Sequence, residues 1–153
     1  MLHKDRLVAA GGLVSHVGPF FSDHFDRLAE RTISAAHNFR LAYAEGAFGT
    51  RSRPLTGWLM VVDTLGSHTP VSDTSRHFPV SPEFERVSLQ QRYRQLCQRL
   101  MRERLNSTAC VITSPKSALA SGQHADFGDV TDLRSFVAAL AWPAAPVGGV
   151  SAL

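Results

Sequence analysis

Three stretches of the chain are rich in apolar residues without a helical period, as in strands buried inside a sheet. They predict strands near residues 6–17, 55–63 and 109–114. Gly11 and Gly12 interrupt the centre of the first strand. Glycine inside a strand commonly marks a bulge or the close approach of another group, so one of these two features is expected there.

Three other stretches repeat apolar residues every three or four positions. They predict helices near residues 22–46, 88–105 and 131–141. Ser88 and Thr131 stand at the start of the last two, where a side-chain hydroxyl can cap the first turn. The second helix carries its apolar stripe at Leu89, Tyr93, Leu96, Cys97, Leu100 and Met101.

Strand and helix alternate along the chain, which predicts an α/β fold with a mixed or parallel sheet flanked by helices. The 153 residues fit one domain. We expect this domain over residues 1–142 and a disordered tail over residues 143–153, because Ala, Pro, Gly and Val follow one another there without a period. The polar, proline-containing segment over residues 64–82 is expected to be a long loop.

The composition excludes several classes of protein. Hydrophobic residues make up 44% and charged residues 19%, which is typical of a globular chain and not of a disordered one. No apolar run reaches the roughly 18 residues that a membrane span needs, and no signal peptide is visible. Cys97 and Cys110 are too few for a disulfide framework, so we expect two buried thiols and a cytoplasmic location.

The charge balance points weakly toward nucleic acid. Sixteen basic residues face thirteen acidic ones, for a formal net charge of +3. All the basic residues except Lys4 and Lys116 are arginines, whose planar guanidinium suits phosphates and guanine edges. An excess of this size does not by itself establish a nucleic-acid partner.

Several longer motifs are more specific. They are SHVGP at 15–19, AYAEGAFG at 42–49, GWLM at 57–60, RYRQLCQRL at 92–100 and TSPKSA at 113–118. Together they make the chain resemble the XhoI family of type II restriction endonucleases over roughly residues 5–141. The resemblance implies a restriction-endonuclease-like core of the PD-(D/E)xK type. It also implies a homodimer that cleaves the palindromic DNA duplex CTCGAG with Mg²⁺, and a cognate DNA methyltransferase as genetic partner.

The catalytic motif of the family is not intact here. The resemblance implies an upstream Asp on one strand and Glu-x-Lys on the next, with Glu and Lys on the same face because side chains alternate along a strand. The position of Glu holds Gly12 and that of Lys holds Val14. The upstream Asp would precede residue 1, so the core is expected to lack its N-terminal part. We therefore expect a catalytically inactive copy that binds no metal.

Other residues are weaker candidates for a catalytic or metal-binding role. Glu30 is a possible migrated catalytic acid, but an exposed helix position is the favoured explanation, because one carboxylate alone holds Mg²⁺ weakly. His16, Asp23 and His24 lack the spacing of a metal site, and we interpret them as polar residues at a strand end and a helix start.

Two sets of basic residues are candidates for DNA contact. Arg92, Arg99 and Arg102 share one flank of the second helix, which is either a DNA-facing or simply a solvated surface. Arg51, Arg53 and Lys116 lie in predicted loops and are candidate phosphate contacts.

Three functions beside that of an inactive endonuclease remain open at this point. The chain could be a DNA-binding, regulatory or dimerisation module, a nuclease with residual activity through repositioned groups, or a non-functional gene remnant.

Overall fold

A computed structural model describes residues 2–3, 6–16, 21–49, 53–71, 81–118 and 120–141. The predicted tail lies outside these residues. In chain order the elements are β1 (Leu2–His3), β2 (Arg6–Leu7), β3 (Ala9–His16), α1 (Phe21–Ala44), β4 (Leu55–Asp63), α2 (Leu89–Arg102), β5 (Thr108–Ser114) and α3 (Leu133–Ala141). Short 3-10 helices cover Pro82–Phe84 and Lys116–Ala118.

The α/β fold is confirmed. In the part of the chain that is described, β3, β4 and β5 form a parallel sheet with β4 in the centre. The helices α1 and α2 lie in the two crossover connections between these strands, as parallel pairing requires. The predicted strands over 55–63 and 109–114 agree with β4 and β5 to within one residue.

The predicted strand over 6–17 is divided in two. Arg6 and Leu7 pair antiparallel with β1, whereas Ala9–His16 pair in parallel with β4. Val8 lies at the junction, where its carbonyl oxygen accepts a hydrogen bond of 2.9 Å from the Leu55 amide. The apolar pattern continues through this change of partner, so the sequence alone gives no sign of it.

The helix α2 has a well-defined start and end. Ser88 and Gln91 form a reciprocal capping box at its N-terminus. At its C-terminus Arg104 takes a left-handed backbone with φ of 54°. The amides of Arg104 and Leu105 donate to the carbonyls of Met101 and Leu100, at 3.0 and 2.9 Å, which is a Schellman ending with arginine in place of the usual glycine.

The core lies between one face of the sheet and the helices α1 and α2. Its largest fully buried side chains include Tyr93, Met60, Leu89 and Leu100. Both cysteines are buried and free, as predicted. Removal from water raises the pKa of the Cys110 thiol to about 12, so this sulfur stays protonated at neutral pH.

The helix α3 covers the other face of β4 and β5 and leaves β3 open. Phe136 on α3 packs so closely on Gly57 that a methyl group there would lie 3.0 Å from its Cε2. On β3 the same face is uncovered, and Leu13 is 69% exposed. No helix in the described part of the chain is long and apolar enough to cross a membrane.

Asp129 ties α2 to the segment that leads into α3. One carboxylate oxygen accepts from the Thr131 amide and hydroxyl, at 2.8 and 2.6 Å. The other accepts from Arg94 at 2.7 Å and from Gln98 at 3.2 Å. Partial burial alone would raise the pKa of Asp129, but the hydrogen bonds from Thr131 and Arg94 outweigh it and hold the pKa below its usual range. Thr131 thus belongs to this turn, and α3 begins two residues later than predicted.

We predict that Asp129→Asn lowers the free energy of unfolding by about 1–2 kcal/mol at pH 7, because it weakens charge-assisted hydrogen bonds. A carboxylate with a depressed pKa stabilises the fold above its unfolded pKa of about 3.9 and loses this effect as the pH falls through its folded pKa. The difference between variant and parent should therefore shrink below about pH 4. Denaturant unfolding at pH 7 and pH 3 measures it, with the exposed Asp126→Asn as control.

Candidate functional site

The backbone of Gly12 lies against the indole ring of Trp58. The two residues are direct partners across β3 and β4, so they share one face of the sheet. A methyl group on Gly12 would overlap Cζ3 and Cε3 of the ring and lie 2.8 Å from Cη2. The space that a glutamate side chain would need to enter is therefore occupied by tryptophan.

Val14 and His16 follow Gly12 on the same face of β3, because side chains two apart point the same way. Val14 is partly buried against the core cluster. His16 is buried, and its Nδ1 lies 2.6 Å from the hydroxyl oxygen of Tyr93. The sequence interpretation of His16 as a polar strand end misses this contact, since the partner is 77 residues away.

The residues at this site do not fit a magnesium ion. Mg²⁺ prefers carboxylate, carbonyl and water oxygens, whereas Gly12 and Val14 offer no side-chain oxygen. Across the described residues, no group of three or more His, Cys, Asp or Glu side chains could hold a metal. Glu30 is an exposed residue of α1. The side chains of Asp23 and His24, also on α1, lie outside the described part of the structure.

A cavity of about 170 Å³ opens beside Gly12, between β3, β4 and α1. Its wall includes Ala35 and Phe39 from the helix and Trp58 from the central strand. Asn106, at the foot of β5, closes another side. The residues that line this cavity are mostly apolar.

The arginines of α2 do not form one exposed flank. Arg92 is 3% exposed and donates through Nη2 to the Val71 carbonyl at 3.1 Å, so the expectation that it faces solvent is wrong. Arg99 is exposed but pairs with Glu103 at 2.8 Å and with Glu83 at 3.6 Å. Arg102 is exposed. The helical period places Arg92 correctly along α2 but gives no sign of the loop segment that covers it.

A second cavity, of about 280 Å³, lies where β4 begins and α2 ends. Arg53 and Arg104 line it together with Met101, Asn106 and Ser107. Arg53 Nη2 lies 3.4 Å from the carbonyl oxygens of Arg104 and Leu105. Of the predicted phosphate contacts, Arg53 is thus placed at a cavity, Lys116 is exposed and Arg51 lies outside the described residues.

Three residues at the two cavities are absent from the sequence prediction: Trp58, Arg104 and Asn106. The pair of glycines in β3 is a signal for the first, because it indicates a close approach without naming the partner. Arg104 and Asn106 follow the end of α2, where only the backbone turn brings them to the start of β4.

The described residues thus form an α/β fold with a parallel sheet and two neighbouring cavities. The family model described as "Restriction endonuclease XhoI" matches residues 1–126, so the chain belongs to this family. No solved structure matches it at a significant level.

Three curated relatives are type II restriction enzymes. XhoI of Xanthomonas vasicola is 45% identical over 97 residues, which are 63% of this chain and 39% of the relative. BstVI of Geobacillus stearothermophilus is 33% identical over 117 residues, which are 76% of this chain and 52% of the relative. AbrI of Azospirillum brasilense is 48% identical over 82 residues, which are 53% of this chain and 37% of the relative. The chain therefore spans from about two fifths to half the length of these relatives.

We predict that Gly12→Ala destabilises the fold by about 1–3 kcal/mol, because the new methyl group overlaps the Trp58 ring. In a Trp58→Ala background the same change should be neutral or stabilising, since alanine is a better strand residue than glycine. Denaturant unfolding of the four proteins in this double-mutant cycle gives the coupling. A Gly12→Ala cost that is equal in both backgrounds would contradict the packing described here.

Proposed function

We propose that this chain is a catalytically inactive member of the family that binds duplex DNA. The observation that carries the first part is Gly12 beneath Trp58, where the family pattern has glutamate. Phosphodiester hydrolysis needs an activated water and charges that stabilise the transition state. With neither a carboxylate at 12 nor an ammonium at 14, both contributions are missing.

The size of these losses supports inactivity. Removing one preorganised group that stabilises transition-state charge costs on the order of 10²–10³ in rate. Loss of the metal ligand and of the lysine together takes the rate toward that of uncatalysed hydrolysis. Glu30 does not compensate, because a single exposed carboxylate holds Mg²⁺ weakly.

The basic side chains near the end of α2 support the second part. Arg53, Arg102 and Arg104 have no carboxylate partner among the described residues. Unpaired guanidinium groups on one side of a domain suit the phosphates of DNA. From the family resemblance we propose the palindrome CTCGAG as the duplex, a homodimer as the binding unit and a cytoplasmic setting beside a cognate methyltransferase.

The hairpin of β1 and β2 suggests where an upstream strand of the family would pair. Its register joins Leu2 with Leu7 and His3 with Arg6. In the same register, a residue that preceded Leu2 would continue alongside Val8 and the start of β3. We propose that the strand with the family's upstream Asp takes this edge in catalytically complete members, beside position 12.

We predict that the purified chain does not cleave a CTCGAG duplex with Mg²⁺ or Mn²⁺ but retards it in a gel. Arg102→Gln should weaken this binding. The slope of the logarithm of the binding constant against the logarithm of the salt concentration should also become shallower by about one, as expected for the loss of one phosphate contact. Arg134→Gln on α3 removes the same charge elsewhere and is the control. Cleavage that EDTA abolishes would refute inactivity, and a chain that leaves the duplex unretarded would refute DNA binding.

We predict that Gly12→Glu with Val14→Lys does not restore cleavage. The glutamate would meet the Trp58 ring and the lysine would enter the edge of the core. These two substitutions do not supply the upstream Asp of the family pattern. The same pair with Trp58→Gly removes the clash and is the matched comparison, assayed together with a grafted N-terminal segment of a complete relative. Cleavage by the double variant at the rate of a complete relative would show that the third ligand comes from within this chain.

A further inference from the structure

The cavity beside Gly12 has the size and surface of a site for one flat ring. A buried apolar cavity of roughly 150 Å³ is known to accept benzene, and this one measures about 170 Å³. Phe39 and Trp58 contribute aromatic rings to its wall, while Ala35 and Gly12 leave the space between them open. An aromatic ligand would supply van der Waals contacts that the side chains around the cavity lack.

Two residues that line the cavity carry a buried polar atom without a hydrogen-bond partner among the described residues. The indole Nε1–H of Trp58 is a buried donor, and Oδ1 of Asn106 is a buried acceptor. Asn106 is 5% exposed and lines the cavity. Buried polar groups are nearly always paired, so an unpaired donor and acceptor at one cavity indicate a ligand that carries both functions. A pyrimidine base carries both on the edge of a single ring.

The adjoining cavity has the chemistry of an anion site. Two guanidinium groups, of Arg53 and Arg104, line it, and neither pairs with a carboxylate in the described structure. Arg53 Nε is buried and has no acceptor among the described residues. Arginine side chains bind phosphate oxygens through such N–H groups. The cavity is also large enough, at about 280 Å³.

The two cavities share a wall. Asn106 lines both of them. Thr56 lines the first and Ser107 the second, and their backbone and hydroxyl groups join them by hydrogen bonds of 2.9 to 3.2 Å. The two cavities are therefore neighbours on either side of Asn106.

We infer that the two cavities together bind a pyrimidine nucleoside monophosphate group, with its base beside Trp58 and its phosphate at Arg53 and Arg104. The group could be a free nucleotide or an unpaired nucleotide of a DNA strand, since both present the same base and phosphate. At about 170 Å³ the ring cavity has room for one ring and not for a base pair, so the site would take a base that has left its pair.

The test uses the fluorescence of Trp58 in the full chain with Trp142→Phe, so that one indole remains. CMP, cytidine and inorganic phosphate are titrated separately, followed by single-stranded oligo-dC and a fully paired duplex. Saturable quenching by CMP, with cytidine weaker by about tenfold for loss of the charged contacts, is the expected result. If oligo-dC quenches at a lower concentration than CMP does, the natural ligand is a nucleotide of a DNA strand. If CMP quenches at the lower concentration, the natural ligand is the free nucleotide.

Matched variants locate the two halves of the ligand. Ala35→Leu fills the ring cavity from its exposed side and should weaken the binding of CMP by about tenfold or more. Ser34→Leu lies one residue away and outside the cavity, so it should leave the binding of CMP unchanged. Arg104→Asn removes the guanidinium but keeps a residue that tolerates a left-handed backbone. It should lower the affinity for CMP to that for cytidine. Arg102→Gln removes the same charge outside the cavity, so it should weaken the duplex and leave CMP unchanged.

Several results would overturn the inference. They are the absence of saturable quenching by CMP in a chain whose unfolding transition is intact, equal affinity for CMP and cytidine, or equal effects of Ala35→Leu and Ser34→Leu. Because the duplex gel shift is a separate measurement, a failure here leaves the proposed DNA binding standing, and a failed gel shift leaves this site standing.

Discussion

The absence of a side chain at Gly12 is the constraint on which the described structure depends. It lets the Trp58 ring lie flat against β3 at a distance that no other residue would permit. The ring in turn forms one wall of the cavity beside α1 and packs against the core cluster that α2 completes. This contact explains why position 12 would not accept a glutamate side chain while Trp58 keeps its place.

The rest of the same strand face has become part of the core. Val14 packs on the core cluster, and His16 is held by Tyr93, which also contacts Phe25 of α1 edge-on with 5.0 Å between ring centroids. Burial raises the pKa of the Tyr93 hydroxyl, so it remains a protonated partner for the imidazole throughout the physiological range. Charged residues at positions 12 and 14 would have to enter a surface that now packs as a hydrophobic one, at a cost in stability as well as in geometry.

The sequence predicts the regular elements well because each of them has a strong period of its own. Strands β4 and β5 and the three helices follow from apolar spacing and from capping residues such as Ser88. The remaining features depend on contacts between distant parts of the chain. Arg92 is buried and donates a hydrogen bond to the Val71 carbonyl, 21 residues away. Thr131 is held in a turn by Asp129, which also binds Arg94. The two glycines of β3 indicate a close approach, but only the register with β4 identifies Trp58 as the partner.

The contact between Gly12 and Trp58 can be observed directly by nuclear magnetic resonance. With Trp142→Phe as background, the remaining indole resonances belong to Trp58. The account predicts nuclear Overhauser contacts between the aromatic protons of Trp58 and the α-proton of Gly12 that points where a Cβ would stand. It also predicts an upfield shift of that proton from the ring current. A Gly12 α-proton with an ordinary shift and no contact to the indole would contradict the account.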